Sequence, residues 1–198
     1  MKLPAPKLEG GMSLAQTLAT RRSVREYAPD PLSLEEVSQL LWSAQGMTDS
    51  ETGFRTAPTA GNTQPLETYL IAGAVDGIEP GVYRYDPKTH SVEQTAAGDK
   101  RAELGAACFG QACVSGCNSA ILFAAVYERI NEKYGELGPK FAAMEAGHAA
   151  QNISLQAVAL DIGAVAIGVP NSEQLKDLAV MRENEEPLYM MVFGKPKS

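Results

Sequence analysis

The sequence contains little cysteine and no long apolar run, and each absence excludes a class of protein. Its three cysteines, Cys108, Cys113 and Cys117, include no CxxC pair. We therefore expect no cysteine-held metal cluster, and we predict that the thiols are buried and reduced on or beside one helix. No run of about 18 apolar residues occurs, so we predict no membrane-spanning helix and no membrane partner.

Basic residues are also scarce relative to acidic ones. The chain has 17 lysines and arginines against 24 aspartates and glutamates, which gives a net charge of −7. General nucleic-acid binding needs a basic face, so we expect no nucleic-acid partner, although a local group of arginines can still bind an anion. The N-terminus lacks an apolar core followed by a cleavage site, which indicates no secretion signal and a cytoplasmic location.

The residues that are present predict a domain of mixed structure. A length of 198 residues, 44% of them hydrophobic, suits a single domain over residues 1–198 or one protomer of an intertwined dimer. Ser33 and Glu36 form a capping-box pattern for a helix that ends near Gly46, and an Ala- and Gly-rich helix is predicted over residues 139–160. Further helices are predicted from Ser13 to Arg21, from Asp99 to Phe109 and from Ser172 to Met181.

Apolar and β-branched runs predict the strands. These runs lie at residues 67–73, 82–85, 91–94, 120–127, 164–167 and 188–193. The run at 120–127 does not alternate with polar residues, which indicates burial on both faces. The order of helices and strands predicts an α+β fold, with a sheet of about four or five strands and helices on both faces.

Arg21, Arg22, Ser23 and Arg25 form the first group that could bind a ligand. Three guanidinium groups occur within five residues. Each offers a planar fork of donors that matches phosphate oxygens, and the serine hydroxyl adds one more donor. A solvated basic turn explains the same residues, so this group taken alone leaves both interpretations open.

Two further segments are rich in small residues. Residues 57–65 (Ala-Pro-Thr-Ala-Gly-Asn-Thr-Gln-Pro) allow the backbone to approach a flat ligand, and Asn62 offers both donor and acceptor to a ring edge. Residues 163–170 place Gly168 at a strand end, where its backbone is accessible. An ordinary turn is the simpler explanation of each segment taken alone.

Taken in order along the chain, these segments resemble the nitroreductase family of flavoproteins. The resemblance is carried by Arg-Arg-Ser-Val-Arg-Glu-Tyr at 21–27, the 57–65 segment, Glu-Ala-Gly-His-Ala-Ala-Gln-Asn at 145–152 and Met-Met-Val-Phe-Gly-Lys-Pro-Lys at 190–197. It spans nearly the whole chain. Residues 81–87 and 145–148 are most similar to the SagB/ThcOx-type branch, which is related to thiazole- and oxazole-forming dehydrogenases.

The resemblance implies a nitroreductase-like fold with a mainly antiparallel central sheet, in an intertwined homodimer with two FMN sites at the subunit interface. Arg21, Ser23 and Arg25 would hold the FMN phosphate and ribityl chain, with Arg22 close by. The resemblance also implies that Pro58, Thr59 and Ala60 come from the other subunit and lie along the ring, with Asn62 near the ring edge. The backbone of Ile167 and Gly168 would lie near the flavin N5. Lys195 would reach the phosphate, and Gln111 would approach the flavin.

The implied activity is a ping-pong transfer of hydride from NADH or NADPH to a nitroaromatic, quinone or enone. Because the flavin carries the chemistry, no catalytic side chain is expected, and His148 is interpreted as a hydrogen-bonded packing residue. Three alternatives stay open: a flavin-binding or storage protein without robust turnover, a dehydrogenase acting on a modified peptide, and a structural α/β protein with an empty pocket.

Overall fold

The computed structural model, which describes residues 1–9 and 11–197, combines short helices with one large sheet. The helices are α1 (Leu14–Thr20), α2 (Leu34–Gln45), α3 (Arg101–Ala107), α4 (Ala112–Ser115), α5 (Tyr127–Tyr134), α6 (Gly138–Ala159) and α7 (Ser172–Ala179). The strands are β1 (Leu32–Ser33), β2 (Leu66–Ala72), β3 (Val75–Asp76), β4 (Gly81–Asp86), β5 (Ser91–Ala97), β6 (Ser119–Ala125), β7 (Gly163–Gly168) and β8 (Glu186–Gly194).

Six strands form one antiparallel sheet, in the order β5-β4-β2-β6-β8-β7. The α+β class and the antiparallel sheet are confirmed. The expectation of about four or five strands is wrong, because all six predicted runs pair in the same sheet. The central strand β6 is buried at every residue, which explains why its sequence does not alternate. β1 and β3 form a separate parallel pair.

Helices cover both faces of this sheet, as predicted. On one face α2 and α6 pack against Phe123 and Phe193 of the sheet, and on the other α3, α4 and α7 pack against Ile71 and Leu122. The three cysteines are buried in this second layer and form no disulfide within the described residues. Burial raises the pKa of the Cys117 thiol to about 12, so this sulfur is protonated and unreactive at neutral pH.

Local sequence signals set several helix ends. The Ser33 hydroxyl accepts from the Glu36 N–H at 3.2 Å and the Glu36 carboxylate accepts from the Ser33 N–H at 2.9 Å, which is the predicted capping box of α2. The cap of α7 is Asn171 rather than Ser172, since its side chain accepts from the Gln174 N–H at 3.2 Å.

Two α-helices have no counterpart among the sequence predictions, and α3 and α7 each end earlier than predicted. α7 ends at Ala179 rather than at Met181, because Val180 has φ +50°. α3 ends at Ala107 rather than at Phe109, because Phe109 has φ +58° and so leaves the helical conformation. α4 and α5, of four and eight residues, were not predicted. In the described residues, no helix has the length and apolarity that crossing a membrane requires.

Candidate functional site

The arginine segment, residues 21–25, runs beside β7 at the edge of the sheet. It leaves α1 as extended chain; Ser23 pairs in parallel with Ala164, and the Val24 N–H donates to the Ala164 carbonyl at 3.0 Å. Gly163 permits this approach, because a Cβ at that position would lie 2.6 Å from the Val24 side chain. The fold therefore brings the first and third of the predicted segments together.

Three of the four predicted side chains in this segment have donors available to a ligand. Within the described residues, the side chains of Arg21, Ser23 and Arg25 make no hydrogen bond and no ion pair. Arg22 differs, because its Nη1 donates to the carbonyls of Ala19 at 3.2 Å and Arg21 at 2.8 Å. Its exposed side chain closes the C-terminal end of α1, where a cation is favourable, so part of its set of donors is already used.

The end of β7 offers backbone to the same edge. Gly168 is exposed, and a Cβ built there would meet no atom within 4 Å. The Ile167 side chain is buried, so its peptide group is what it can offer to a ligand. We call Arg21, Ser23, Arg25, Ile167 and Gly168 the arginine half-site.

Lys195 and Gln111 are held by the protein itself. The Lys195 ammonium lies 2.5 Å from the Glu36 carboxylate, so its charge is already compensated in this conformation. Gln111 precedes α4, and its amide donates to the Cys108 carbonyl at 3.2 Å. Because each is already engaged, neither side chain is as available to a ligand as those of Arg21 and Arg25 are.

The second predicted segment is fixed to the long helix by a buried carboxylate. The Ala60 N–H donates to Glu145 Oε1 of α6 at 2.7 Å, and the Thr59 hydroxyl accepts from the Gln64 N–H at 3.0 Å. Glu145 is only 4% exposed. Burial raises the pKa of its carboxyl above the ordinary value, although hydrogen bonds from Ala60 and Thr59 oppose the rise.

A cavity of about 260 Å³ lies between this segment and α6. Its lining consists of Pro58, Thr59, Ala60, Phe141, Met144, Glu145 and His148. His148 is exposed and makes no hydrogen bond within the described residues, so the interpretation as a hydrogen-bonded packing residue is wrong. We call Pro58, Thr59, Ala60, Glu145 and His148 the helix half-site.

Asn62 lies apart from that cavity. Its φ of +59° is in the left-handed region, and its amide group accepts from the Gln64 side chain at 3.0 Å and donates to the Thr52 carbonyl at 3.4 Å. These bonds hold the loop that follows α2. Asn62 therefore shapes the loop that carries Pro58 and Ala60.

One chain contains two separate half-sites. The cavity beside α6 has no lining residue from the arginine half-site. The arginine half-site in turn faces outward from the edge strand β7. That the two groups meet one ligand from different subunits stays a prediction.

Comparisons with known proteins agree with this architecture. A model of the "Nitroreductase family" matches residues 18–195. A protein that carries the provisional name nitroreductase from Methanocaldococcus jannaschii is 38% identical over 195 residues, which are 98% of this chain and 96% of the relative. The crystal structure of a provisionally named nitroreductase from Ralstonia eutropha is 34% identical, with a TM-score of 0.87, and covers 100% of this chain and 89% of its own.

A more distant structure shares the fold alone. The NADPH:FMN oxidoreductase from Vibrio harveyi, complexed with NAD⁺, is 19% identical with a TM-score of 0.66 and covers 93% of this chain and 69% of its own. The family match spans both half-sites, from the end of α1 to the end of the last strand. The chain therefore belongs to the nitroreductase family and is an enzyme of the oxidoreductase class.

Proposed function

We propose that the protein is an FMN-dependent oxidoreductase that takes hydride from NADH or NADPH and delivers it to a small electron-poor acceptor. The observation that carries the proposal is the arginine half-site, where two guanidinium groups and a hydroxyl lack partners in the described residues. Their segment pairs with β7, the strand that ends at the exposed Gly168. The Vibrio harveyi neighbour, which is named for FMN and NADPH, supports the choice of cofactor and co-substrate.

The arginine half-site fits the phosphate end of FMN. Arg21 and Arg25 are two residues from Ser23 on either side, so three donor groups converge from one short segment. Guanidinium groups match phosphate oxygens in charge and geometry. The pairing of Val24 with Ala164 holds the segment in place before a ligand arrives, which reduces the entropy lost on binding.

The helix half-site fits the flat ring. Pro58, Thr59 and Ala60 have small side chains, and the hydrogen bond from Ala60 to Glu145 fixes the segment against α6. The cavity beside it is open on one side, as a ring stacked with a second flat molecule requires. Glu145 and His148 line this space.

The two half-sites would be joined in a homodimer. A row of exposed residues runs along one face of α6 at spacings of three and four: Ala143, Met144, Gly147, His148 and Gln151. Met144 is 50% exposed, and a Cβ at Gly147 would meet no atom within 4 Å. Small and flexible residues allow a second helix to approach closely, so this face suits α6 of a second copy.

The protein would supply positioning and electrostatics, while the cofactor would supply the redox chemistry. When bound, flavin accepts a hydride at N5 from a reduced nicotinamide and gives it up to an acceptor. The guanidinium groups of Arg21 and Arg25 would hold the FMN phosphate. Residues 58–60 would lie along the ring and leave its other face open. The same open face would receive the nicotinamide and then a nitroaromatic, quinone or enone, in a ping-pong order.

Spectroscopy of the purified protein tests the proposal. We expect a yellow protein that releases FMN on denaturation, and whose bound flavin is bleached by NADH or NADPH within the enzyme's turnover time in anaerobic stopped flow. A quinone added afterwards should restore the oxidised spectrum. Bleaching that is far slower than turnover would indicate a flavin store, and a colourless protein that takes up no FMN would contradict the proposal.

A further inference from the structure

A second concentration of positive charge lies in a cleft outside both half-sites. The cleft has a volume of about 750 Å³ and is walled by the loop after α2, the ends of β4 and β5, and α5. Five cations and three carboxylates line it, a net charge of +2 in a chain of net charge −7: Arg55, Arg84, Lys88, Arg129 and Arg182, with Glu67, Asp86 and Glu93. We call this the basic cleft.

Two of its arginines are fixed by carboxylates. Glu67 lies 2.8 Å from Arg84 and 2.6 Å from Arg129, and Arg84 also lies 2.9 Å from Glu185, which is fully buried. These ion pairs hold the guanidinium groups in one orientation, so that this wall is rigid before a ligand binds. Glu67 is shared between the two arginines, and none of these three ion pairs involves Arg55, Lys88 or Arg182.

The remaining three cations have no such partner. Within the part of the chain that the structure describes, no carboxylate oxygen lies within 4 Å of a side-chain nitrogen of Arg55, Lys88 or Arg182. Asp86 and Glu185 accept only from the backbone N–H groups of Lys88 and Arg182. Arg55 donates from Nη1 to the Gln45 side chain at 2.8 Å, but its Nε is buried without a hydrogen-bond partner. A buried donor without an acceptor is unfavourable, and an anion in the cleft would relieve it.

The lining also limits the kind of ligand. Tyr85 is its one aromatic side chain, and the Tyr85 hydroxyl is engaged with His90 Nδ1 at 2.8 Å, so no ring is displayed for stacking. The other neutral groups that line it, including Thr63, Gln64 and Ser91, are mostly polar. The cleft therefore favours a compact, strongly charged group over an aromatic or apolar one.

We propose that the basic cleft is a second ligand site, which binds a small oxyanion carrying at least two negative charges, such as a phosphate or pyrophosphate group. Two sources share this chemistry. The group is either a free oxyanion or the phosphate end of the nicotinamide co-substrate, and the second source rests on the proposed function. The loop that carries Pro58 and Ala60 of the helix half-site also carries Arg55 and Gln64 of the cleft, which connects the two sites.

Calorimetric titration with inorganic pyrophosphate tests the proposal, at constant ionic strength and with FMN in excess. Lys88 and Arg182 are exposed and their side chains make no hydrogen bond in the described residues, so the double variant Lys88→Gln/Arg182→Gln should fold normally. We expect it to bind pyrophosphate about tenfold more weakly than the natural chain. Lys7→Gln/Lys100→Gln removes two cations outside the cleft and off the α6 face, and should leave the affinity unchanged.

The buried cation is tested by Arg55→Gln, with folding checked by circular dichroism. If that variant misfolds, the exposed double variant still decides the question. The variant Arg21→Ala/Arg25→Ala leaves the basic cleft intact and should retain pyrophosphate binding. The test of the cleft therefore does not depend on whether the flavin proposal holds. No binding by the natural chain at millimolar pyrophosphate, or equal affinity in the natural chain and the cleft variant, would overturn the site.

Steady-state kinetics distinguishes the two sources. If the cleft holds the co-substrate's phosphates, Lys88→Gln/Arg182→Gln should raise the KM for NADH or NADPH about tenfold with little change in kcat. If the cleft holds a free oxyanion, the variant should lose pyrophosphate affinity while KM stays the same. Both results support the site, and each assigns it a different occupant.

Discussion

Among the cations of this chain, some have a carboxylate partner within residues 1–9 and 11–197 and others have none there. Lys195 lies 2.5 Å from Glu36 and Lys176 lies 2.7 Å from Glu186, so each already has its counter-ion. Arg21 and Arg25 have no carboxylate within 4 Å among the described residues. An anionic ligand gains most from cations whose charge is not already compensated, which is why these two arginines are the proposed contacts of the flavin phosphate.

Removing both arginines should release the flavin. We expect Arg21→Ala/Arg25→Ala to raise the Kd for FMN by at least about 100-fold, because two charge-assisted hydrogen bonds of about 1.5 kcal/mol or more are lost. The measurement is a titration of FMN fluorescence. Lys7→Ala/Lys100→Ala, which removes the same charge elsewhere, should bind FMN normally; an unchanged Kd in the arginine variant would contradict the phosphate assignment.

Glu145 should make stability depend on pH in a defined direction. Its folded-state pKa is raised, so the folded chain holds this proton more tightly than the unfolded chain does. The stability that the proton contributes is therefore complete at acid pH and is lost as pH rises through the folded-state pKa. Glu145→Gln removes this loss and keeps an oxygen to accept from the Ala60 N–H.

The expected result is that Glu145→Gln becomes more stable, relative to the natural chain, as pH rises from about 4 to about 8. Urea unfolding at several pH values measures this difference. Glu145→Ala serves as the comparison, because it removes the acceptor of the half-buried Ala60 N–H and should cost about 1 kcal/mol. A difference between the Gln variant and the natural chain that does not change with pH would show that the carboxyl titrates normally.

At the scale of elements, the edge strand β7 joins the central sheet to the arginine segment. It pairs with β8 on one side and receives the arginine segment on the other. Gly163 and Gly168 stand at its two ends, and their surroundings differ. A side chain at Gly163 would collide with Val24, whereas a side chain at Gly168 would enter open space.

These two glycines give a matched pair of variants. Gly163→Ala should displace the arginine segment, lower the free energy of unfolding by about 1–3 kcal/mol and weaken FMN binding. Gly168→Ala should leave stability unchanged, since its Cβ meets nothing in the chain, and should affect only access to the ligand. Chemical denaturation and FMN titration measure both effects; equal stability of the two variants would argue against the Val24 contact.

The elements that the sequence predicted are those with strong local signals. α2 has its capping box at Ser33 and Glu36, and β6 has an unbroken apolar run, so their positions follow from neighbouring residues. α5 has one fully buried residue, Ile130, which is too few to produce a periodic pattern. The number of strands in the sheet depends on pairing between distant segments, which local patterns do not encode.

In the candidate site, too, residues with a local sequence signal could be predicted, whereas residues whose role depends on distant contacts could not. Arg21, Ser23 and Arg25 could be found because they are adjacent in sequence and share one chemistry. Glu145 was missed as a structural anchor, because its partner Ala60 is 85 residues away and a glutamate in an alanine-rich helix gives no sign of it. His148 was misread because the exposed face of α6 is set by tertiary packing.

At the scale of the whole molecule, the proposed flavin site would need a second copy of the chain. The arginine half-site lies at the β7 edge, and the helix half-site lies beside the exposed face of α6. Dimerisation through α6 would exclude water from Met144 and Gly147 and would bring a second subunit to each site. Oligomeric state and flavin binding should therefore be linked.

A charge on the α6 face tests this link. Met144→Glu should shift the protein toward monomer, because association would bury an unpaired carboxylate, and the monomer should bind FMN more weakly. Sedimentation velocity at several concentrations and FMN titration measure the two effects. Leu8→Glu introduces the same charge at a residue 75% exposed away from α6 and should leave both unchanged. A monomeric Met144→Glu variant with full FMN affinity would place the whole site in one chain.

A crystal structure grown with excess FMN tests the central claim most directly. The predicted result is a dimer with two flavins, each with its phosphate within hydrogen-bond distance of Arg21 and Arg25 of one subunit and its ring against Pro58 and Ala60 of the other. Flavin bound elsewhere, or the protein's own side chains filling the space between these residues, would contradict it.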